Sequence, residues 1–567
     1  MAEHLPPGTL LVVGALLIPL LRGVGRQVWL LILPCASFVH LLSFDHGTYG
    51  QILLFDFELT MARIDKLSLV WGYIFHIMAF LGALYSIHVE DSLQHFTGFV
   101  YAGSAIAGAF AGDLITLFVC WELTAVSSVF LIWASRTERA INSGMRYLVI
   151  QVGSGIILLA GVAIHYSDTG SLAFDHLGTP FAGELGPTLI FIAFGIKCAF
   201  PFLHNWLQDA YPEATPSGTV MLSAFTTKLS VYALARGFAG VDILVPIGVA
   251  MTAFPVFYAV IENDLRRVLA YSLNNQLGFM VVGVGVGTDL ALNGAASHAF
   301  AHILYKALLF MSMGAILHRV GTCKASELGM LYRSMPITTL FCIIGAMSIS
   351  AFPLFSGFVT KSMTLTATAE QGWNVSWFVL LFSSAGVLHH SGIKIPFYGF
   401  FGHRDAGLRV EEAPWNMLVS MGITATLCVA IGVYPQPLYD ILPYETDYEP
   451  YTASHVVTQL QLLVFALLAF AFLARKHLET PELRATNVDT DWTYRRLLPQ
   501  AASAFMRWGQ PLRTAVFTFF KDAIHTGISG LRLLHSPQGI FGRTWHTGNS
   551  VLICLVSLAV YLVFYYL

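Results

Sequence analysis

Residues 187–211 read PTLIFIAFGIKCAFPFLHNWLQDAY, an apolar run that carries Lys197 near its middle and Pro201 four residues later. Such a run is long enough to cross a bilayer, which needs about 20 helical residues. Pro201 removes a helical donor and frees a carbonyl, so a break beside Lys197 can line a hydrated cavity. Working outward, the placement of Lys197 recurs. Five of the nine lysines, Lys197, Lys228, Lys306, Lys361 and Lys394, lie inside otherwise apolar stretches. At about 3 kcal/mol each on insertion scales, they would together cost on the order of 15 kcal/mol without compensation. Packing alone rarely carries such a cost. The default reading is an ion or proton pathway, with Glu122, the one carboxylate deep in an apolar segment, as counter-charge.

The composition fits that reading. Of 567 residues, 56% are hydrophobic and only 11% charged, with a mean hydropathy of +0.67. This excludes an ordinary soluble domain, where roughly 25% of residues are charged. A net charge of −3 argues against a nucleic-acid partner. The seven cysteines, at 35, 120, 198, 323, 342, 428 and 554, form no CxxC or metal-spaced cluster, so neither iron–sulfur nor structural zinc sites are expected. No cofactor is expected, and no catalytic chemistry of the chain's own. The N-terminus lacks a basic region ahead of residues 8–21, which read as a retained first helix rather than a cleaved signal.

The expected fold is an all-α polytopic membrane protein of about 14–16 transmembrane helices, with sixteen candidate spans from 8–21 to 548–566. Two spans are expected to be interrupted, 187–211 at Pro201 and 336–370 at Pro353 and Gly357. They suggest two inverted five-helix repeats, each with a broken helix. The expected organisation is N-terminal helices in 1–93, repeats in 94–239 and 242–400, further helices in 413–474, an inner-surface segment in 476–547 and a last helix in 548–567. Lys197 and Lys361 fall on the broken fourth helix of each repeat, Lys228 and Lys394 on the fifth. Basic residues set orientation: Arg22, Arg26, Arg136, Arg139, Arg146, Arg266, Arg267, Arg319 and Arg333 share one side, and only Arg63, Lys66 and Arg236 fall opposite. The positive-inside bias then puts both termini outside.

Along the chain, Glu122, Lys197, Lys228, Lys306, Lys361 and Lys394 read as a relay. Glu122 would hold Lys197 protonated, and opening that pair would release the proton inward. The alternative is a static buried pair that fixes helix register. His298, His302 and Lys306 are spaced i, i+4, i+8 on one helical face, and His390 precedes Lys394 by one turn, so imidazoles extend the row. Each histidine could instead simply bond a neighbouring helix. No carboxylate or cysteine in that segment completes a metal site for the HxxxH pair. His204, Asp113 and Asp209 lie near segment ends and suit capping, and Arg266 with Asp264 reads as a positive-inside loop. In the C-terminal segment, Val516, Phe520, Ile524 and Ile528 form an apolar stripe flanked by Arg513, Lys521 and Arg532, which suits a helix lying on the inner surface or an incidental amphipathic loop. Pro499 and Pro511 argue against one continuous helix through the whole stretch.

Specific strings resemble a known family. Gly-Asp-Leu-Ile-Thr-Leu-Phe-Val-Cys-Trp-Glu-Leu at 112–123 resembles the Glu-bearing helix of the antiporter-like subunits shared by respiratory complex I, Mrp-type cation/proton antiporters and membrane-bound hydrogenases. So do Lys197 with Phe200-Pro201-Phe-Leu-His-Asn-Trp-Leu-Gln-Asp-Ala210, Thr227-Lys228-Leu-Ser-Val-Tyr-Ala-Leu-Ala-Arg236, Asp264 to Ser272, His298 to Leu308, and Phe352-Pro353 to Lys361. The resemblance covers roughly residues 60–400. It implies that Glu122, Lys197, Lys228, Lys306 and Lys361 form the central hydrophilic axis of proton translocation. Lys228 in its string looks most similar to the D-type Mrp subunit. The C-terminal segment resembles, in shorter form, the lateral helix of other members.

The function this implies is a proton-translocating subunit of a multisubunit Na+/H+ antiporter in a bacterial cytoplasmic membrane. It would work beside other integral membrane subunits, including antiporter-like paralogues, with protons and sodium or potassium moved. The alternatives are a pumping component of a complex I-like or hydrogenase-like redox assembly, and a structural membrane scaffold.

Overall fold

The computed structural model describes residues 5–55, 57–402, 410–475, 487 and 489–566. The chain divides into two compact units, one ending at Asn487 and one beginning at Val488. The protein is a multi-pass helical membrane protein. Among the described residues, ten helices are long and apolar enough to cross a membrane, and three shorter apolar helices accompany them. Helices α4 (Ser92–Phe110) and α12 (Leu265–Val286) are full length but fall outside those ten.

The first unit opens with α1 (Thr9–Ala15) and α2 (Gly23–Leu42), then departs from the all-helical expectation. Strands β1 (Gly47–Leu54) and β2 (Phe57–Ile64) pair antiparallel as a hairpin. Its position is fixed by Asp113, which accepts from Thr60 N at 2.8 Å and also caps α5 (Leu114–Trp133) through Thr116 N. Asp65 follows β2 directly and caps α3 (Lys66–Ser86) in a capping box with Ser68. The next helices are α4 and α6 (Glu138–Thr169), on either side of α5 in sequence.

The two expected interruptions have one form. The span at 187–211 is α7 (Leu185–Lys197) and α8 (Asn205–Ala210); that at 336–370 is α14 (Pro336–Ile349) and α15 (Ser356–Glu370). At the first break Ala199 and Phe202 have φ of 61° and 69°; at the second, Ala351 and Leu354 have 55° and 74°. The strings are Ala199-Phe200-Pro201-Phe202 and Ala351-Phe352-Pro353-Leu354, so the same tripeptide makes the same left-handed, proline, left-handed turn. Lys197 and Lys361 nevertheless sit on opposite sides of their breaks: Lys197 ends the half-helix before the turn, and Lys361 lies within the half-helix after it.

A third break was not expected. The span at 216–239 is α9 (Pro216–Ala224) and α10 (Thr226–Gly237), interrupted at Phe225 with φ −101° and ψ −65°. The carbonyl of Ser223, at that break, accepts from the Lys228 ammonium at 2.6 Å. Between the two proline breaks come α11 (Leu244–Ile261), α12 and the 32-residue α13 (Asp289–Val320). Helix α13 is buried along almost its whole length and is rich in Gly and Ala. A Cβ at Gly294 would meet Thr364 of α15, and one at Gly314 the hydroxyl of Tyr85 on α3, so small residues let neighbours approach this central helix. Two 32-residue helices, α6 and α13, each precede a proline-broken helix.

After α16 (Asn374–Val387) the chain becomes π-helical over Leu388–Ile393 and Phe397–Phe401, around Lys394–Pro396. Pro396 has no amide hydrogen to give the turn before it, and π-bulges of this kind occur often at functional sites. Helices α17 (Trp415–Val433) and α18 (Ala453–Arg475) complete the unit.

The second unit holds α19 (Leu498–His535) and α20 (Thr547–Tyr566). Helix α19 is continuous for 38 residues through both Pro499 and Pro511, and it ends at His535 rather than running through the whole of 476–547. Pro499 falls in the first turn, where an amide has no helical partner to lose, and Pro511 removes only one bond from a long ladder. Residues 476–486 of the expected inner-surface segment, and Arg404 and Arg409, which the charge bias also puts on the inner side, lie outside the described residues.

Candidate functional site

Each buried lysine donates to a carbonyl or hydroxyl oxygen, and Lys197 also interacts electrostatically with Glu122. Lys197, Lys228 and Lys306 have no exposed surface, and Lys361 and Lys394 almost none. The Lys197 ammonium donates to Trp121 O at 2.5 Å and Thr124 Oγ1 at 3.2 Å, and stands 4.4 Å from the Trp121 ring centroid. These groups flank Glu122 on α5, but among the described residues no hydrogen bond or ion pair joins the two side chains. The ammonium takes the backbone carbonyl because a cation over an aromatic face beside a carbonyl and a hydroxyl is well satisfied without a formal counter-ion. Glu122 is half-buried, and its Oε1 is buried without a hydrogen-bond partner among the described residues. It lies against Gly155 of α6, where an added methyl group would collide with the carboxylate.

The remaining lysines follow the same rule. Lys228 uses the Ser223 carbonyl at the α9–α10 break. Lys361 donates to Ser384 Oγ at 3.0 Å and lies 4.5 Å from the Phe279 ring centroid. Lys306 donates to Ser272 Oγ at 2.8 Å. Lys394 donates to Val260 O at 2.6 Å, in the last turn of α11, and to Glu262 O at 2.7 Å just beyond it, where the helix dipole favours a cation.

The histidines fall into three different settings. His298 Nδ1 is 3.2 Å from Thr360 Oγ1, and its Nε2 is 3.2 Å from Gln276 Oε1, which also accepts from Tyr305 OH. His302 is fully buried, and neither ring nitrogen has a hydrogen-bond partner among the described residues. Its ring stacks on His298 with centroids 6.2 Å apart. His390 Nδ1 lies 2.8 Å from Ser391 Oγ, and its Nε2 is buried and unpartnered among the described residues. Among the described residues no group of three metal-ligating side chains forms.

Other polar residues take roles that the sequence assigned differently or not at all. Asp113 is a cap, as its position at a segment end suggests. Asp209 holds Arg146 through two bonds, at 2.7 and 3.1 Å. Arg266 is buried rather than part of an open loop: it donates to Pro212 O and Ala214 O at 2.7 Å and to Thr219 Oγ1, holding the turn between α8 and α9. Sequence reasoning missed Ser272, Gln276, Tyr305, Ser384 and Ser391. The run Ser272-Leu-Asn-Asn-Gln276 inside an apolar segment was a signal for the first two.

Known proteins share this arrangement of sequence and fold. Residues 111–388 match the model described as "NADH:quinone oxidoreductase/Mrp antiporter, TM". The match covers 278 of the 567 residues, just under half of the chain. The chain is 29% identical over 487 residues to the A-type component of the Na(+)/H(+) antiporter of Alkalihalophilus pseudofirmus, covering 75% of this chain and 60% of that one. It is 29% identical over 417 residues to the D-type component of the antiporter from the same organism, covering 69% and 82%. Against hydrogenase-4 component B of Escherichia coli it is 27% identical over 425 residues, covering 67% and 63%. The chain thus spans under two thirds of the A-type relative and of the hydrogenase component. In fold it is similar to a chain of the Mrp complex from Dietzia sp. DQ12-45-1b, with TM-score 0.68 and 21% identity over 77% of this chain and 94% of that one. It is also similar to a chain of an archaeal membrane-bound sulfane sulfur reductase, with TM-score 0.70 and 20% identity over 98% and 99%. The fold of this chain is therefore that of the matched chains of these two membrane complexes.

Proposed function

We propose that this chain is the proton-translocating subunit of a multisubunit, Mrp-like monovalent cation/proton antiporter in a bacterial cytoplasmic membrane, with both termini outside. The observation that carries the reading is the row of five buried lysines, each donating to a carbonyl or hydroxyl oxygen. An ammonium so held can give up its proton without leaving an unpaired buried anion behind. Protons would move along Glu122, Lys197, Lys228, His298, His302, Lys306, Lys361, His390 and Lys394. Sodium or potassium would move elsewhere in the complex, since buried lysines repel a cation. The matched Ala-Phe-Pro turns and the two 32-residue helices support reading 94–239 and 242–400 as inverted repeats, with 1–93, 413–474, 476–547 and 548–567 as the parts added around them. An odd number of helices per repeat reverses the second.

A second reading rests on a specific observation. The sulfane sulfur reductase chain, from a respiratory membrane complex, is matched over 98% of this chain, a share that must include most of the second unit. That favours a redox-driven assembly with the same proton row. Mass spectrometry of the intact complex, purified from native membranes through a tag on this chain, separates the two. Small integral membrane partners alone support the antiporter. Companion flavin or iron–sulfur proteins would replace it with the redox-driven pump.

A further inference from the structure

Lys306 and His390 stand on α13 and on the π-helical segment after α16, and a pair of serine hydroxyls spans the gap between them. Lys306 Nζ donates to Ser272 Oγ on α12 at 2.8 Å, Ser391 Oγ donates to Ser272 Oγ at 2.7 Å, and His390 Nδ1 lies 2.8 Å from Ser391 Oγ. Both serines are completely buried. With the Ser391 hydrogen directed to Ser272, His390 Nδ1 carries the hydrogen of its own bond to Ser391. The chain of four polar groups is unbroken, and it ends at His390 Nε2, buried without a hydrogen-bond partner among the described residues.

His390 and Ser391 both lie in the π-helical turn Leu388–Ile393. In an α-helical continuation of α16, neighbouring side chains 390 and 391 would project about 100° apart. Here they hydrogen-bond each other, and Ser391 reaches a third helix.

We propose that Ser272 and Ser391 are relay hydroxyls that carry a proton between Lys306 and His390, an inference that rests on the proton-translocating reading above. Rotation of the two hydroxyls and a change of His390 tautomer set the chain in the conducting sense. A proton leaves Lys306 Nζ for Ser272 Oγ as the Ser272 hydrogen passes to Ser391 Oγ and the Ser391 hydrogen to His390 Nδ1. Lys306 ends neutral, His390 ends as imidazolium, and each serine keeps one hydrogen. His390 Nε2–H then becomes the donor, one turn from Lys394 and its carbonyl cup at the end of α11.

The test is proton transport by the native complex in proteoliposomes, expressed per assembled complex, for Ser391→Ala, Ser391→Thr, Ser272→Ala and Lys197→Ala. Ser391→Ala should slow transport about 100-fold, the scale of losing one positioned proton-transfer group, and Ser391→Thr, which keeps the hydroxyl, should restore it. Ser272→Ala reports on the same chain from another helix if Ser391→Ala fails to assemble. Wild-type rate in both serine variants while Lys197→Ala is inactive would overturn the hydroxyl relay and leave the proton row standing. A fall in the amount of assembled complex with an unchanged rate per complex would make the serines structural and overturn it too. Activity in Lys197→Ala as well would remove the reading on which the relay rests.

Discussion

At the level of single residues, the lysines were legible because a charge in an apolar run stands out whatever surrounds it. Their partners were not, because carbonyls at helix breaks and serines on other helices come into reach only in three dimensions. Glu122 illustrates the difference: its sequence neighbours Trp121 and Thr124, rather than its own carboxylate, hold Lys197. Gly155→Ala would push a methyl group into that carboxylate. It should destabilise the protein by about 1–3 kcal/mol, the usual range for overpacking, and slow proton transport, measured as unfolding temperature and flux per complex. His88, beyond the end of α3, gives a pH prediction. Burial, then the neighbouring charges of His318, His95 and Arg319, lowers its pKa to about 4, against the opposing bond from Asn416. Asn416 Nδ2 lies 2.9 Å from His88 Nδ1. The folded value lies below the unfolded one, so this contribution to stability is complete above about pH 6.5 and is lost as pH falls through 4. Thermal unfolding of the purified complex between about pH 7 and 4 should show that loss, and His88→Gln, which cannot titrate, should flatten it.

At the level of elements, the breaks at Pro201 and Pro353 could be read from proline and lysine together. Their common geometry needed the backbone, since it rests on Ala199 and Ala351, residues that carry no turn signal. Both hold a left-handed φ that glycine takes freely, so Ala199→Gly and Ala351→Gly should each stabilise by up to about 1 kcal/mol, read from unfolding temperature. The break at Phe225 was hidden because its compensating group is the Lys228 side chain, three residues on. The hairpin was hidden because two short strands among so many helices leave only weak alternation. Its closing residue, Asp65, ties it to α10: Arg236 Nη2 contacts both carboxylate oxygens at 2.8 and 2.9 Å, and Arg63 contacts the same carboxylate at 3.1 Å. Burial alone would raise the Asp65 pKa, but Arg236, the Ser68 amide and Arg63 bring it below the ordinary carboxylate value. Arg236→Ala breaks a largely buried pair and should cost about 3 kcal/mol, visible as a lower unfolding temperature.

At the level of the whole molecule, a row of ammonium groups that each donate to a carbonyl or hydroxyl accounts for how this chain keeps five lysines within apolar helices. Each lysine bonds where a helix ends, breaks or presents a hydroxyl, so the interruptions of the fold and the placement of charge are one arrangement. The antiporter and redox readings share that row and differ in the companions of the chain. The scaffold reading keeps the row without flux. Proton uptake into proteoliposomes bearing the purified native complex, wild type against Lys197→Ala and Lys361→Ala, therefore tests the central claim. The account predicts that both variants assemble with their full set of partner chains and lose proton transport. Transport at the wild-type rate in either assembled variant would contradict it.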